Sequence, residues 1–407
     1  MRTWKTAAAA AALLCTLSVW GCAAPPLLKT DFEQDPRGIG WEFRGAKTDP
    51  RLPLWEAGDQ SPANHYLAVP VSGHFEGWHS PLLPVVPGEY YQVEFRSQSA
   101  GRGYCGAIFY DAEGKELIPD HYSGSDPSSD WTQNTFCFRA KTNAARARLR
   151  FRGVNGKVLY VDDVVVRGIR RRDAAKWADT VYSQLPPLRY TPPAERWAHI
   201  PRTMRRLREG GSLRVVLLGD SIVNDTGNSA WETLLERVYR KAKIEVVTSV
   251  RGGTGCDYYR RDGRVKQYVL DYDPDLVIIG GVCNRRAEPV RDVIRQIRAA
   301  SKAEVLILSG AFGRNYRPPA DPDWTPRIDP DGKDYRSQLF KTALEEKVEL
   351  LDMRGATDEY FRNCGKPIRG FMRDDTHPNE RGRQIIGRVL VRYLSPDVPM
   401  TAPPRPA

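Results

Sequence analysis

Histidine and cysteine are both sparse in this chain. Six histidines and seven cysteines are spread over 407 residues, and they form no Cys/His cluster with the spacing that holds zinc. A Gly-x-x-x-x-Gly-Lys phosphate loop is missing, which removes P-loop nucleotide chemistry. No internal repeat recurs, so solenoids and propellers are excluded. The sequence therefore calls for no metal and no other cofactor. Beyond the first two dozen residues there is no apolar run long enough to cross a bilayer. Acidic residues are outnumbered, 50 against 61 Lys and Arg, leaving a net charge of +11. That excess serves solubility by default, with an acidic partner such as an anionic glycan as the alternative. The basic run Arg170-Arg171-Arg172 lacks the interleaved aromatics of a nucleic-acid surface, so no nucleic-acid partner is expected. Nothing points to an obligate protein partner.

What is present begins with a leader. Arg2 and Lys5 precede a short apolar core, Ala7 to Val19, followed by small residues, the pattern of a secretory signal. Val19-Trp20-Gly21-Cys22 resembles a bacterial lipobox, which implies lipidation of Cys22 and attachment to a membrane through that anchor. Trp20 stands where a small residue is usual, so plain cleavage near Ala24 is the other expectation. Either route exports the chain to the periplasm, the cell surface or the medium. Export permits disulfides. Cys105, Cys137, Cys256, Cys283 and Cys364 lie beyond the leader, an odd number that leaves a free thiol. Cys105 and Cys137 sit in strand-like segments, either as a pair or as two small buried hydrophobes.

At roughly 100–200 residues per domain, the length suggests two or three domains. After the signal segment, 1–24, residues 30–168 read as all-β. Short alternating runs such as Tyr90 to Phe95, Gly106 to Tyr110 and Ala147 to Phe151 are separated by Gly, Pro, Asp and Ser clusters. Asp111-Ala112-Glu113-Gly114 suits a hairpin turn. Asp31-Phe32-Glu33, Pro87-Gly88-Glu89-Tyr90-Tyr91 and Tyr160-Val161-Asp162-Asp163-Val164 resemble the galactose-binding-like jelly rolls that serve as carbohydrate-binding modules. That resemblance makes Trp41, Trp55, Trp78, Tyr104, Tyr122 and Trp131 candidates for stacking on sugar rings, against the alternative of core or rim packing. Residues 169–211 read as a helical and Pro-rich linker, with helices over Asp173 to Leu185 and Pro201 to Glu209. Residues 399–407 form a tail.

Between them, 212–398 alternate strand and helix. Strand-like runs at Arg214–Leu218, Ile244–Val250, Leu276–Ile279, Glu304–Leu308 and Glu349–Asp352 are interleaved with helical patterns at Trp231–Ala242, Val290–Ala300, Tyr335–Lys347 and Asn379–Leu394. This order predicts a parallel sheet covered on both faces, with its functional residues beyond the carboxyl ends of the strands. Ser221, Gly252, Asn284 and Gly310 each follow such a run. Ser221 is delivered by Leu217-Leu218-Gly219-Asp220 onto a turn before a helix, where a nucleophile gains from the helix N-terminus. Of the histidines only His377 lies C-terminal to Ser221, in Asp374-Asp375-Thr376-His377-Pro378.

These residues carry a second resemblance. Gly219-Asp220-Ser221, Arg251-Gly252-Gly253-Thr254-Gly255, Gly281-Val282-Cys283-Asn284 and Asp374-Asp375-Thr376-His377 are similar to the four blocks of the SGNH (GDSL) hydrolases. These are serine esterases with a flavodoxin-like α/β/α sandwich. The likeness implies Ser221 as nucleophile, His377 as base and Asp374 as its partner. It also implies an oxyanion hole from the Ser221 and Gly252 amides and the Asn284 side chain. The third block departs from the usual Gly-x-Asn-Asp by an extra residue and by Arg285. Asp375 is the rival of Asp374.

The expected function is thus an exported serine esterase acting on acetyl or small acyl esters of a polysaccharide or oligosaccharide. Alternatives are a lipase- or thioesterase-type hydrolase and a non-catalytic glycan-binding surface protein. Because every expected catalytic residue falls in the second half, a fragment starting near Ala174 would keep activity on small esters.

Overall fold

The computed structural model describes residues 25–45, 54–58, 61–70, 76–153, 157–314, 316–318, 320, 324–325 and 327–397. The expectations for the leader, for Cys22 and for the 399–407 tail fall outside the described residues. Among the described residues no helix is long and apolar enough to cross a membrane.

The first half is all-β. Its strands are β1 (Leu28–Thr30), β2 (Glu42–Arg44), β3 (Trp55–Gly58), β4 (Ser61–Val69), β5 (Gly77–His79) and β6 (Leu83–Pro84), then β7 (Tyr90–Ser99), β8 (Gly103–Tyr110), β9 (Glu116–Ser125), β10 (Ser128–Arg139), β11 (Arg146–Gly153) and β12 (Leu159–Ile169). They make two antiparallel sheets, β10-β7-β12-β4-β3 with β1 beside β12, and β2-β5-β11-β8-β9 with β6 beside β11. In β7, Val93 and Phe95 are buried while Gln92, Glu94 and Arg96 are half-exposed, the period of two that a one-sided strand requires. Phe95 meets Phe151 of the other sheet with ring centroids 5.2 Å apart, so the two inner faces share one core. The turn Asp111–Gly114 joins β8 to β9, with the Lys115 amide donating to the Asp111 carboxylate at 2.7 Å.

Two questions left open for this half are decided. Trp41 and Trp78 are 1% and 0% exposed and fill the core, so neither is placed to stack on a sugar. Cys105 and Cys137 are unpaired; one lies on β8 and the other on β10, in different sheets, and burial pushes both thiols up. They pack as small hydrophobes.

The second half holds β13 (Gly211–Gly219), β14 (Ala242–Val250), β15 (Leu276–Ile279), β16 (Glu304–Leu308) and β17 (Glu349–Leu351), all parallel, in the order β14-β13-β15-β16-β17. Alternate residues feed opposite cores. Val215, Leu217, Ile278 and Leu306 face one layer, and Val216, Leu218, Ile279 and Ile307 the other. Burial on both faces is why these strands read as unbroken apolar runs. Helices α1 (Arg171–Ser183), α2 (Pro201–Glu209), α3 (Ser221–Gly227) and α4 (Trp231–Val238) pack on the first layer. They are followed on the other layer by α5 (Cys256–Tyr259), α6 (Arg264–Tyr268), α7 (Ala287–Ala300) and α8 (Tyr335–Glu346). The last two, α9 (Met353–Asn363) and α10 (Glu380–Leu394), return to the first layer.

The 169–211 segment joins the halves while packed: Ala174, Ala175, Ala178, Ile200, Met204 and Leu207 are buried in the α/β core, and Trp177 touches the cores of both halves. In this strand order the connection leaving β13 runs outward to β14 on one side, and the connection leaving its other neighbour, β15, runs outward to β16 on the opposite side. The two connections diverge between the carboxyl ends of β13 and β15, the point at which such a sheet opens a crevice.

Candidate active site

β13 ends at Gly219, where a Cβ would lie 2.4 Å from the Gly280 carbonyl oxygen. Only glycine lets the strand end approach the β15 loop so closely. Asp220 then caps α3. One carboxylate oxygen accepts the Ile222 amide at 2.9 Å, and the other accepts the Val282 and Cys283 amides, each at 2.7 Å. Burial pushes this carboxyl up, against the downward pull of those amides. Gly281, at φ +102°, is required opposite it, since a Cβ there would sit 2.5 Å from the carboxylate. Asp220 thus staples the Ser221 loop to the loop after β15.

Ser221 opens α3 at the mouth of the crevice. Its Oγ lies 2.8 Å from His377 Nε2. His377 Nδ1 lies 2.9 Å from both oxygens of Asp374. With Nδ1–H donating to the carboxylate, Nε2 presents its lone pair to the serine hydroxyl. The Thr376 and His377 amides also donate to Asp374, each at 2.8 Å. Burial raises the Asp374 carboxyl, but the hydrogen bond and charge of His377 and the Arg373 guanidinium outweigh it and hold it well below the usual carboxylate range. Asp375 is exposed, and no hydrogen bond joins it to His377.

The turn carrying the histidine is pinned at both ends. The Arg373 amide donates to the His377 carbonyl and the Asn379 amide to the Phe371 carbonyl, both at 2.9 Å, and Gly313 donates to the Thr376 carbonyl at 3.0 Å.

Gly252 is exposed on the loop after β14, beside Arg251, whose amide donates to the Gly219 carbonyl at 3.1 Å. Asn284 is 5% exposed. Its Oδ1 accepts the Cys256 amide at 2.6 Å and its Nδ2 donates to the Gly280 carbonyl at 2.9 Å. Asn284 therefore braces the loop after β15 against α5, and its amide keeps one further N–H for another acceptor.

Sequence reasoning missed the residues that tie these pieces together. Asp225, one turn beyond Ser221 on α3, is fully buried and accepts Arg373 Nη1 at 2.7 Å, Arg373 Nη2 at 3.2 Å and Arg383 Nε at 2.9 Å. Arg373 Nη1 also donates to the Pro378 carbonyl at 2.7 Å. The nucleophile helix, the histidine turn and α10 thus meet on one carboxylate. The β half closes this lock. Asn224 Nδ2 donates to the Asp120 carbonyl at 3.0 Å, Arg383 donates to the Tyr122 carbonyl, and the Tyr122 ring lies 5.6 Å from the Arg373 guanidinium. The i to i+4 spacing of Ser221 and Asp225 was readable. Ion pairs spanning about 150 residues were not.

Of the remaining aromatics, Tyr104 and Tyr122 form a tilted pair, centroids 5.1 Å apart, against the α/β half. Trp55 stacks on His65 at 4.5 Å, and Trp131 meets Tyr66 edge-on at 5.3 Å.

A five-stranded doubly wound sheet with a hydrogen-bonded serine, histidine and aspartate beyond its carboxyl edge defines the architecture of this half. Residues 217–385 match the GDSL-like Lipase/Acylhydrolase family. Among solved structures, the chain is similar to a two-domain esterase (CEX) active on acetylated mannans, at 19% identity over 52% of this chain and 57% of that one, with a TM-score of 0.39. It is similar also to Axe2, an acetylxylan esterase from Geobacillus stearothermophilus, at 15% identity over 46% of this chain and 96% of that one, TM-score 0.36. A third is the CBM22-1 xylan-binding domain of Paenibacillus barcinonensis Xyn10C, at 15% identity over 37% of this chain and 99% of that one, TM-score 0.29. The match spans less than two thirds of the two-domain esterase. No curated protein matches the chain in sequence.

Proposed function

We propose that this chain is an exported serine esterase that removes acetyl or other small acyl groups from a carbohydrate. The observation that carries the reading is the continuous hydrogen-bonded chain from Ser221 Oγ through His377 to Asp374. In the proposed reaction Ser221 Oγ attacks the ester carbonyl as its proton passes to His377 Nε2. The oxyanion is met by the Ser221 and Gly252 amides and the second N–H of Asn284. Collapse breaks the bond to the sugar oxygen, which takes the proton from His377 and leaves an acyl-Ser221 ester. Water, deprotonated by the same nitrogen, attacks that ester, and release of the acid returns the proton to Ser221. Asp374 stays ionised and stabilises the imidazolium.

A carbohydrate alcohol is favoured by the surroundings. The β half presents Tyr104, Tyr122 and several arginines toward the catalytic turn, a polar and aromatic setting suited to hydroxyls and ring faces. A lipase or thioesterase would want an apolar acyl groove there. A purely glycan-binding role would leave the serine–histidine–aspartate chain without purpose. Short- and long-chain p-nitrophenyl esters assayed beside acetylated glycans separate these readings: turnover confined to short acyl groups supports the proposal, and a preference for long chains overturns it.

Asn284→Ala is expected to lower kcat by about 10²–10³-fold, the usual cost of one oxyanion donor. Steady-state kinetics on p-nitrophenyl acetate checks this, and a silent variant would assign the donor elsewhere. For export, Cys22→Ser is expected to shift the protein from the membrane to the soluble fraction if the lipid anchor forms. The mass of the mature N-terminus distinguishes lipidated Cys22 from plain cleavage.

A further inference from the structure

We infer that the chain binds a small carboxylate, an anion of acetate size, in a cavity between its two halves that is separate from the Ser221 crevice. The cavity measures about 80 Å³. At about 10–15 Å³ for each water, that is room for several waters, or for one small organic ion with a water beside it. Its walls include Asp120 and His121 from β9, Lys141 from the turn after β10, and Asn224 and Asn228 from α3 and its end. Ile118 and Asn143 line it too and are exposed, so it opens to solvent on that side. Asn224, three residues after Ser221, hangs from the Asp120 carbonyl at 3.0 Å, which places the cavity against the nucleophile helix.

The charges around this cavity leave one cation over. Asp120 Oδ2 accepts Arg150 Nη2 at 3.1 Å, and Arg139, also on the wall, donates to Glu232 at 2.8 Å. His121 is 1% exposed; burial first, then Arg383 and Arg373, push its imidazole well down, so it carries no charge at neutral pH. Lys141 is different. Its Nζ is shut off from solvent, and among the described residues it has no hydrogen-bond partner. Asp120, the acid whose charge reaches it, is already committed to Arg150. Burial, helped by Arg139, pushes the Lys141 ammonium down to about 7 despite Asp120. Two further buried atoms of the lining residues lack partners, the donor Asn228 Nδ2 and the acceptor Asp120 Oδ1. A buried cation without a counterion is costly, and so is a buried donor without an acceptor. A carboxylate answers both, with one oxygen for Lys141 Nζ and one for Asn228 Nδ2. A water beside it can donate to Asp120 Oδ1. Leu117 and Val246 give the cavity an apolar wall for a methyl group. Water alone would solvate the amine but bring no countercharge. Acetate binding here does not depend on the esterase reading.

The test titrates sodium acetate into the full-length protein, with sodium chloride at matched ionic strength as the reference, and follows Tm. A saturable rise of about 2 °C or more over chloride is expected. Lys141→Met is expected to abolish the acetate-specific rise. Asn228→Ala, which leaves the charge in place, is expected to raise the half-saturating acetate concentration about threefold or more. Circular dichroism establishes that each variant is folded, and Asn228→Ala decides the matter should Lys141→Met not fold. Acetate held at Ser221 as a reaction product would stabilise both variants as it does the wild type. An acetate effect unchanged in the variants therefore overturns the inference. So does an equal response to acetate and chloride, which would leave the cavity to water.

Discussion

Replacing Ser221 or His377 by alanine is expected to lower kcat/KM by about 10⁴-fold or more on any ester the protein turns over. Nucleophile and base act as one unit, so either loss costs nearly as much as both. The double variant should therefore be little worse than either single one. Among the described residues the Ser221 hydroxyl meets no other base: its Oγ lies 2.8 Å from His377 Nε2. Neither change should unfold the chain, because Ser221 and His377 are both half-exposed at the mouth of the crevice. Circular dichroism and kinetics on the same preparations check both halves of this expectation. Near-wild-type turnover in either variant would remove the mechanism.

Excising the β half, with a fragment that starts near Ala174, is expected to cost at least about 10²-fold in turnover even of a small soluble ester. The sequence alone suggests the opposite, since no expected catalytic residue precedes Gly211. The structure changes the expectation because α3 has only seven residues and is held mostly from outside. Asn224 hangs from the Asp120 carbonyl, and Arg383, one of the two arginines on Asp225, is fixed by the Tyr122 carbonyl. Tyr90 and Arg139 both reach the buried Glu232 of α4, at 2.5 and 2.8 Å. Without β9 and β10, Ser221 and His377 remain in the chain but lose what keeps them in register, and an ångström of misplacement is expensive in catalysis.

The same lock can be opened by one residue. Asp225→Ala takes the shared carboxylate from Arg373 and Arg383, each almost wholly buried, leaving Arg383 with Glu380, and is expected to cost about 3–5 kcal/mol of stability. Burial raises the Asp225 carboxyl, but Arg373 and Arg383 outweigh it, so its folded value lies below the ordinary 3.8. A carboxyl depressed on folding adds stability above its unfolded pKa and loses it as pH falls through the folded value. Urea denaturation of the wild type should therefore be insensitive to this group from neutral pH down to about 5 and weaken below about 4. Asp225→Asn should remove that contribution to the acid limb. An unchanged acid limb would mean that the carboxylate is not the keystone described.

How much of this was legible depends on which period a segment follows. The parallel strands were readable because burial on both faces makes Val215 to Leu218 and Leu276 to Ile279 continuous apolar runs. Ser221, Asp374 and His377 were readable because their spacing is local to a strand end and a turn. Helix α9 was not: Met353–Asn363 carries Gly355 early and mixes charges around its circumference, so its apolar stripe is weak. Strand β9 was also unreadable, since Pro119, Ser123 and Gly124 interrupt any alternation in Glu116–Ser125. That strand supplies Asp120 and Tyr122, which seat the nucleophile helix. Two of the sugar-stacking candidates, Trp41 and Trp78, failed for a related reason. Composition cannot tell an inward Trp78 from an outward Tyr122, because only register decides the face.

Labelling with a fluorophosphonate, followed by mass spectrometry of the intact protein and its peptides, tests the central claim most directly. Phosphonylation needs a serine oxygen activated by a base, and it does not depend on knowing the glycan. One adduct per chain is expected, on the peptide containing Ser221, forming at neutral pH and falling away in His377→Ala. A folded wild-type protein that hydrolyses esters while Ser221 stays unlabelled, or whose adduct sits on another serine, would contradict it.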